Sequence, residues 1–152
     1  MKLDEARTIA QNFVLGIFDH VEVVEIVGSI RRQKPEVNDI DLVVIPKESF
    51  WTKVKEFNLK RSGKKIIELD LNGIQVDIYI ATKENFEVLR LIRTGSAEHN
   101  IKLCMEARKK GWKMYANGQG LETNNGWVVG EEAILKELCG KYIEPQNREV
   151  NA

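Results

Sequence analysis

Aspartates are poor strand formers, yet this chain sets three of them among aliphatic and β-branched residues. One run reads Asp39-Ile40-Asp41-Leu42-Val43-Val44-Ile45, the other Ile74-Gln75-Val76-Asp77-Ile78-Tyr79-Ile80. Side chains alternate along a strand, so Asp39 and Asp41 share a face, roughly 6.5–7 Å apart. Alternation also puts Gln75, Asp77 and Tyr79 on one face and Ile74, Val76, Ile78 and Ile80 on the other. If the two runs pair, three carboxylates converge. Half-buried like charges raise one another's pKa and weaken the fold, so such a cluster needs cations. It suits two Mg²⁺ ions about 3.5–4 Å apart, with Mn²⁺ as a substitute, the arrangement used in phosphoryl chemistry.

Upstream lies Gly28-Ser29-Ile30-Arg31-Arg32, directly after the β-branched run Val21–Val27. A glycine there lets backbone approach a ligand, the first amides of a following helix point outward, and Ser29 adds a hydroxyl. Arg32 brings a planar fork for phosphate oxygens. Gly-Ser turns and Arg-Arg pairs are each common; joined to an Asp-x-Asp eleven residues after the glycine, they read as a nucleotidyltransferase site.

The rest of the chain supports one compact unit of 152 residues with 43% hydrophobic and 30% charged residues. Lys, Arg, Asp and Glu cancel to a net charge of zero, so no global basic field recruits nucleic acid. Bases do cluster: Lys47–Lys65 carries seven against two acids, and Lys83–Lys113 eight against four. Either segment could follow a phosphate backbone or form a solvated helix face. Cys104 and Cys139 lack metal-ligand spacing and read as buried free thiols. With no signal-like or membrane-length apolar stretch, the expectation is a soluble intracellular protein.

Helical periodicity over Leu3–Phe18 precedes strands at Val21–Val27 and Ile40–Ile45 and a short helix at Ser49–Phe57. Lys65–Leu71 and Ile74–Ile80 form a hairpin about Asn72-Gly73. Helices follow over Lys83–Ile92 and Ala97–Lys110, then short strands between Lys113 and Val129, then a helix over Glu131–Leu138. The expected fold is α+β: a mixed sheet with helices over residues 1–93, and a small α/β lobe over 94–152. Trp51, Trp112 and Trp127 read as packing rather than base-stacking residues, and His99 as packing or a helix cap.

Gly28-Ser29-Ile30-Arg31-Arg32, Asp39-Ile40-Asp41, Val76-Asp77 and Thr94-Gly95-Ser96-Ala97-Glu98-His99-Asn100 together resemble the family X DNA polymerases, in order and in spacing. The tail Tyr142-Ile143-Glu144-Pro145 is similar too, so the likeness covers nearly the whole chain. It implies a nucleotidyltransferase-fold palm followed by a thumb, in a minimal palm-plus-thumb form. It further implies short-gap filling in DNA repair by two-metal transfer from a dNTP to a primer 3′-hydroxyl. Asp39 and Asp41 would bridge both ions, and Asp77 would bind the catalytic one. Gly28, Ser29 and Arg32 would hold the triphosphate, Thr94-Gly95-Ser96 would form a cis-peptide turn beside the sugar, and Asn100 would meet the base. The implied partners are gapped or primer-template DNA and dNTPs, bound by a monomer without a membrane. Ile92-Arg93 stands where many members carry an aromatic pair screening the 2′ position, which implies weaker rejection of ribonucleotides. The alternative is a minimal nucleotidyltransferase that ignores a template or modifies protein or RNA.

Overall fold

The computed structural model describes residues 1–149. Helix α1 (Leu3–Ile17) leads through a 3₁₀ turn into β1 (Val21–Val27), the four-residue α2 (Gly28–Arg31) and β2 (Ile40–Pro46). Next come α3 (Phe50–Lys53), extended by a 3₁₀ turn, then β3 (Asn58–Ser62), β4 (Ile66–Leu71) and β5 (Ile74–Ile80). Helices α4 (Phe86–Thr94) and α5 (Ala97–Lys109) precede β6 (Lys113–Tyr115), β7 (Gly120–Thr123), β8 (Gly126–Val128) and α6 (Glu131–Cys139).

Five strands form one mixed sheet in the order β1-β2-β5-β4-β3. Only β2 and β5 run parallel. The β4–β5 hairpin turns at Asn72 (φ 52°) and Gly73 (φ 88°), the paired positive values that the Asn-Gly sequence accommodates. Alternation divides the sheet. Ile40, Leu42, Val44, Ile67, Leu69, Val76 and Ile78 face α1, whose Ala6, Ala10, Phe13 and Ile17 recur at helical spacing to close the main core. On the other face Val27, Val43, Ile45 and Ala81 pack beneath Phe86 and Leu89 of α4.

Helix α4 also turns Val88, Leu91 and Ile92 toward a second core, shared with Leu103, Met114, Leu121 and Leu138. It thereby joins the mixed sheet to the three-stranded sheet β6-β7-β8. This helix starts at Phe86 rather than Lys83 because Thr82 and Asn85 close a reciprocal turn: the Thr82 amide donates to Asn85 Oδ1 (2.7 Å) and the Asn85 amide to Thr82 Oγ1 (3.3 Å). Strand β3, Asn58-Leu59-Lys60-Arg61-Ser62, has no strand-like apolar pattern and was not expected. It exists by pairing with β4 at the sheet edge, where charged residues are tolerated. Cys104 and Cys139 are free thiols but half-buried, not buried, because each lies at the margin of the second core.

Candidate active site

A single row crosses the sheet on its α4 side: Val27 pairs with Asp41, Asp41 with Asp77, and Asp77 with Glu68. Neighbouring strands lie about 4.8 Å apart, so the register alone brings the Asp41 and Asp77 carboxyls together. Asp39 sits one residue before β2 begins and is exposed, at the mouth of the row. Gln75 Nε2 donates to Asp77 Oδ1 at 2.9 Å, an orienting contact across two positions of the same strand face.

Burial, then the charges of Asp77 and Asp39, push the Asp41 carboxyl up to about 7, against the pull of Arg32 and Arg93. Asp77 is raised as well, by burial first and by Asp39 and Glu68, while the Gln75 hydrogen bond opposes the shift. The cluster is thus short of positive charge.

Gly28 follows β1 with φ +63°, and a Cβ at that position would collide with the Asp41 carboxylate. Backbone therefore lies directly against the acids. Arg32, just past α2, donates through Nη1 to the Thr94 carbonyl (2.6 Å) and through Nε to Glu149 Oε1 (2.7 Å). A Cβ on Gly95 would stand only 3.0 Å from Arg32 Nη1. The Gly28–Arg32 segment and the Thr94–Ser96 turn, 62 residues apart, accordingly form one wall, and the Gly95–Ser96 peptide is cis.

The hydroxyls of Thr94 and Ser96, in the turn that the resemblance sets beside the sugar, face inward. Thr94, fully buried, accepts from Arg31 Nη1 (2.8 Å) and donates to the Arg90 carbonyl (2.5 Å). Ser96 caps α5 by accepting from the His99 amide (3.2 Å) and donates to the Arg148 carbonyl (2.9 Å). Both side chains hold the wall together, and each hydroxyl's one proton is already engaged within the protein. Asn100 donates to the Ile92 carbonyl at 2.8 Å, while its Oδ1 is buried without a partner. His99 is a packing residue: burial first, then Arg148 and Lys102, lower its pKa to about 4, so it is neutral.

Sequence reasoning did not single out Glu131, Arg148 and Glu149, which brace Arg31 and Arg32 from the far end of the chain. A glutamate opening a helix carries no long-range signal. Arg93 and Tyr79 were also passed over: the guanidinium lies 4.1 Å from the ring centroid, beside Asp41. Burial and the Asp41 charge push the Tyr79 phenol up to about 12.

Among the described residues no group of three or more His, Cys, Asp and Glu is arranged so as to hold a metal ion. The donor set nonetheless fits Mg²⁺ or Mn²⁺: all-oxygen carboxylates, deficient in positive charge, at an open mouth. Mg²⁺ is ordinarily held by one or two carboxylates with substrate phosphates and water, not by an all-protein cage.

Residues 89–149 match the family model described as DNA polymerase beta thumb. The chain is 30% identical over 139 residues to the Repair DNA polymerase X of African swine fever virus, in both the Warthog/Namibia and the Tick/South Africa isolates. Each alignment covers 80% of this chain and 79% of the viral protein. The Tick/Malawi protein of the same name is 28% identical over the same shares. The chain belongs to the family X DNA polymerases. In this family X chain the thumb match begins inside α4, the helix that contributes to both cores.

Proposed function

We propose that this repair-type family X polymerase fills short gaps, adding a nucleotide from a dNTP to a primer 3′-hydroxyl as the template directs. The observation that carries the reading is the Asp41–Asp77 register on adjacent parallel strands, with Asp41 pushed up to about 7 by burial and by the charges of Asp77 and Asp39. Asp39, Asp41 and Asp77 would hold two divalent ions, which when bound acidify the primer hydroxyl and neutralise the triphosphate. The chain's own residues position the reactants. Gly28 and Ser29 offer backbone and a hydroxyl to the phosphates. Arg32, oriented by Thr94 and Glu149 through Nη1 and Nε, uses its Nη2 donors. Gln75 fixes Asp77 near the primer terminus, and Gly95 gives the sugar a wall without a side chain.

As a working division, residues 1–93 form the palm and 94–152 the thumb, with α4 as the shared helix. One chain carries all three acids and the phosphate arginine, which supports action as a monomer. Among the described residues no helix is long and apolar enough to cross a membrane.

Extension on a one-nucleotide gapped duplex, each dNTP supplied singly, with Mg²⁺ present or chelated, tests the proposal. Metal-dependent addition of the templated nucleotide is expected. Addition that ignores the template would replace this reading with that of a terminal, protein or RNA nucleotidyltransferase. No metal-dependent addition would end it. Ile92 is buried in the second core and Arg93 lies on Tyr79, so neither brings an aromatic to the 2′ position. Comparing dCTP with CTP opposite guanine should give a preference well below a thousandfold; many thousandfold would contradict this.

A further inference from the structure

The three-stranded sheet buries Met114 and Leu121 on one face. By alternation its other face presents Lys113, Tyr115, Glu122 and Trp127, with Lys113 paired to Glu122 and Glu122 to Trp127. Trp127 is no packing residue, as the sequence suggested for it: it is 48% exposed. Its ring centroid stands 5.3 Å from that of Tyr115, tilted by 44°, and Lys113 Nζ lies 4.6 Å from the Tyr115 centroid. Gly120, opposite Tyr115, adds no side chain to the strip. The one acid on this face, Glu122, accepts from the Tyr115 hydroxyl at 3.2 Å.

The exposed Trp127 beside the half-buried Tyr115, with a cation over the latter, offers flat π-surface for bases and charge for phosphates. That combination binds single strands with little regard to sequence. One residue of the strip, Lys113, shares a groove with Asn100, the residue that the family resemblance sets at the base. This groove of about 550 Å³ beside α5 and β6 is lined by Asn100, Ile101, Met105, Arg108, Trp112 and Lys113 among others. From Asn100 to Arg108 the helix rises ~12 Å, the length of roughly three to four stacked nucleotides.

We propose that Tyr115 and Trp127, with Lys113, form a stacking site for unpaired template DNA a few nucleotides from the nascent base pair. The site rests on the polymerase reading only for the identity of the strand as template. It also differs from the metal-dependent centre, since no catalytic acid takes part.

The test measures Kd by fluorescence anisotropy for labelled primer-template with a six-nucleotide single-stranded template overhang, and for a blunt duplex of the same sequence. The parent should prefer the overhang. Replacing Tyr115 and Trp127 together by Ala should weaken overhang binding about 10-fold or more and blunt binding less than twofold, on the scale of lost base–aromatic stacking. Trp127→Phe, which keeps a stacking ring, should stay within about threefold of the parent. Oligo-dT should quench more of the tryptophan emission in the parent than in Trp127→Phe, which keeps Trp51 and Trp112, an independent check should the double variant fold poorly. Unchanged overhang binding, equal loss on both duplexes, no preference in the parent, or quenching in Trp127→Phe equal to that of the parent would each overturn the site. These are binding measurements without nucleotide addition. Failure of gap filling with the overhang effect intact would therefore break the polymerase reading and not the strip.

Discussion

Two clusters of charge lie close to the Gly28–Arg32 segment and are built in opposite ways. Around Asp41 the carboxylates of Asp41 and Asp77 share a row with Asp39 at its mouth, and burial, then repulsion, raise the pKa of Asp41 to about 7 against the pull of Arg32 and Arg93. Around Glu131, buried to 2% exposure, the balance is reversed. Arg31 reaches its carboxylate through two nitrogens, at 2.7 and 2.9 Å, and the wholly buried Arg148 through one at 2.9 Å. Arg90 Nε stands 3.1 Å away, off the hydrogen-bond direction. Burial pushes the Glu131 carboxyl up, but hydrogen bonds and charge from Arg31 and Arg148 outweigh it and hold the group below its usual range. A buried charge with its partners inside the protein serves the fold. One whose partners are missing is poised for something from outside.

The comparison can be broken from either side. Replacing Glu131 by Gln keeps the shape but leaves Arg148 and Arg31 without their counter-charge. Breaking a buried pair in this way costs about 3–5 kcal/mol, so the melting temperature should fall by roughly 10 °C. Thermal unfolding that shifts by only a degree or two would show that the knot is not a stability element. Asp41→Asn should act oppositely. In the folded state ionisation of Asp41 is deferred from the ordinary 3.8 to about 7, so without metal the acid weakens the fold progressively as pH rises through that window and fully above it. With chelator at pH 8 the variant should be more stable than the parent by on the order of 2–4 kcal/mol, and the gain should shrink toward pH 4. A less stable variant at pH 8 would contradict the claim that the cluster lacks cations.

His99 sharpens the contrast with a smaller effect. Its folded pKa lies near 4 against an ordinary 6.5, so the unfolded chain takes up the proton first. The associated stability is complete above pH 6.5 and is lost as pH falls toward 4, by about 2–3 kcal/mol. Chemical denaturation across this range should show a steeper fall for the parent than for His99→Gln. Parallel curves would mean that the ring is not held neutral.

The uncompensated cluster was the more legible of the two. Alternation fixed the shared face of Gln75, Asp77 and Tyr79, and the Asn72-Gly73 turn fixed the hairpin that carries Asp77 to its place. The parallel pairing of β2 with β5 could only be supposed, since no local signal specifies which strands meet. The compensated knot was illegible because Glu131 lies 100 residues from Arg31 and 17 from Arg148, and each is ordinary in its own context. The partners of the Thr94 and Ser96 hydroxyls were illegible for a related reason: a hydroxyl's partner is set by tertiary packing, and here packing turned both inward. Trp127 was taken for a packing residue because a large apolar ring usually buries, and only the strand register shows it on the outer face.

The most direct test is single-turnover incorporation into a one-nucleotide gap by Asp77→Asn beside the parent, with saturating Mg²⁺ and the templated dNTP. If Asp39, Asp41 and Asp77 hold the catalytic ion as proposed, removing one of these acids should lower the rate by about a thousandfold or more while leaving the fold and gapped-DNA binding intact. A variant that incorporates within tenfold of the parent would contradict the assignment of Asp39, Asp41 and Asp77 as the reactive centre.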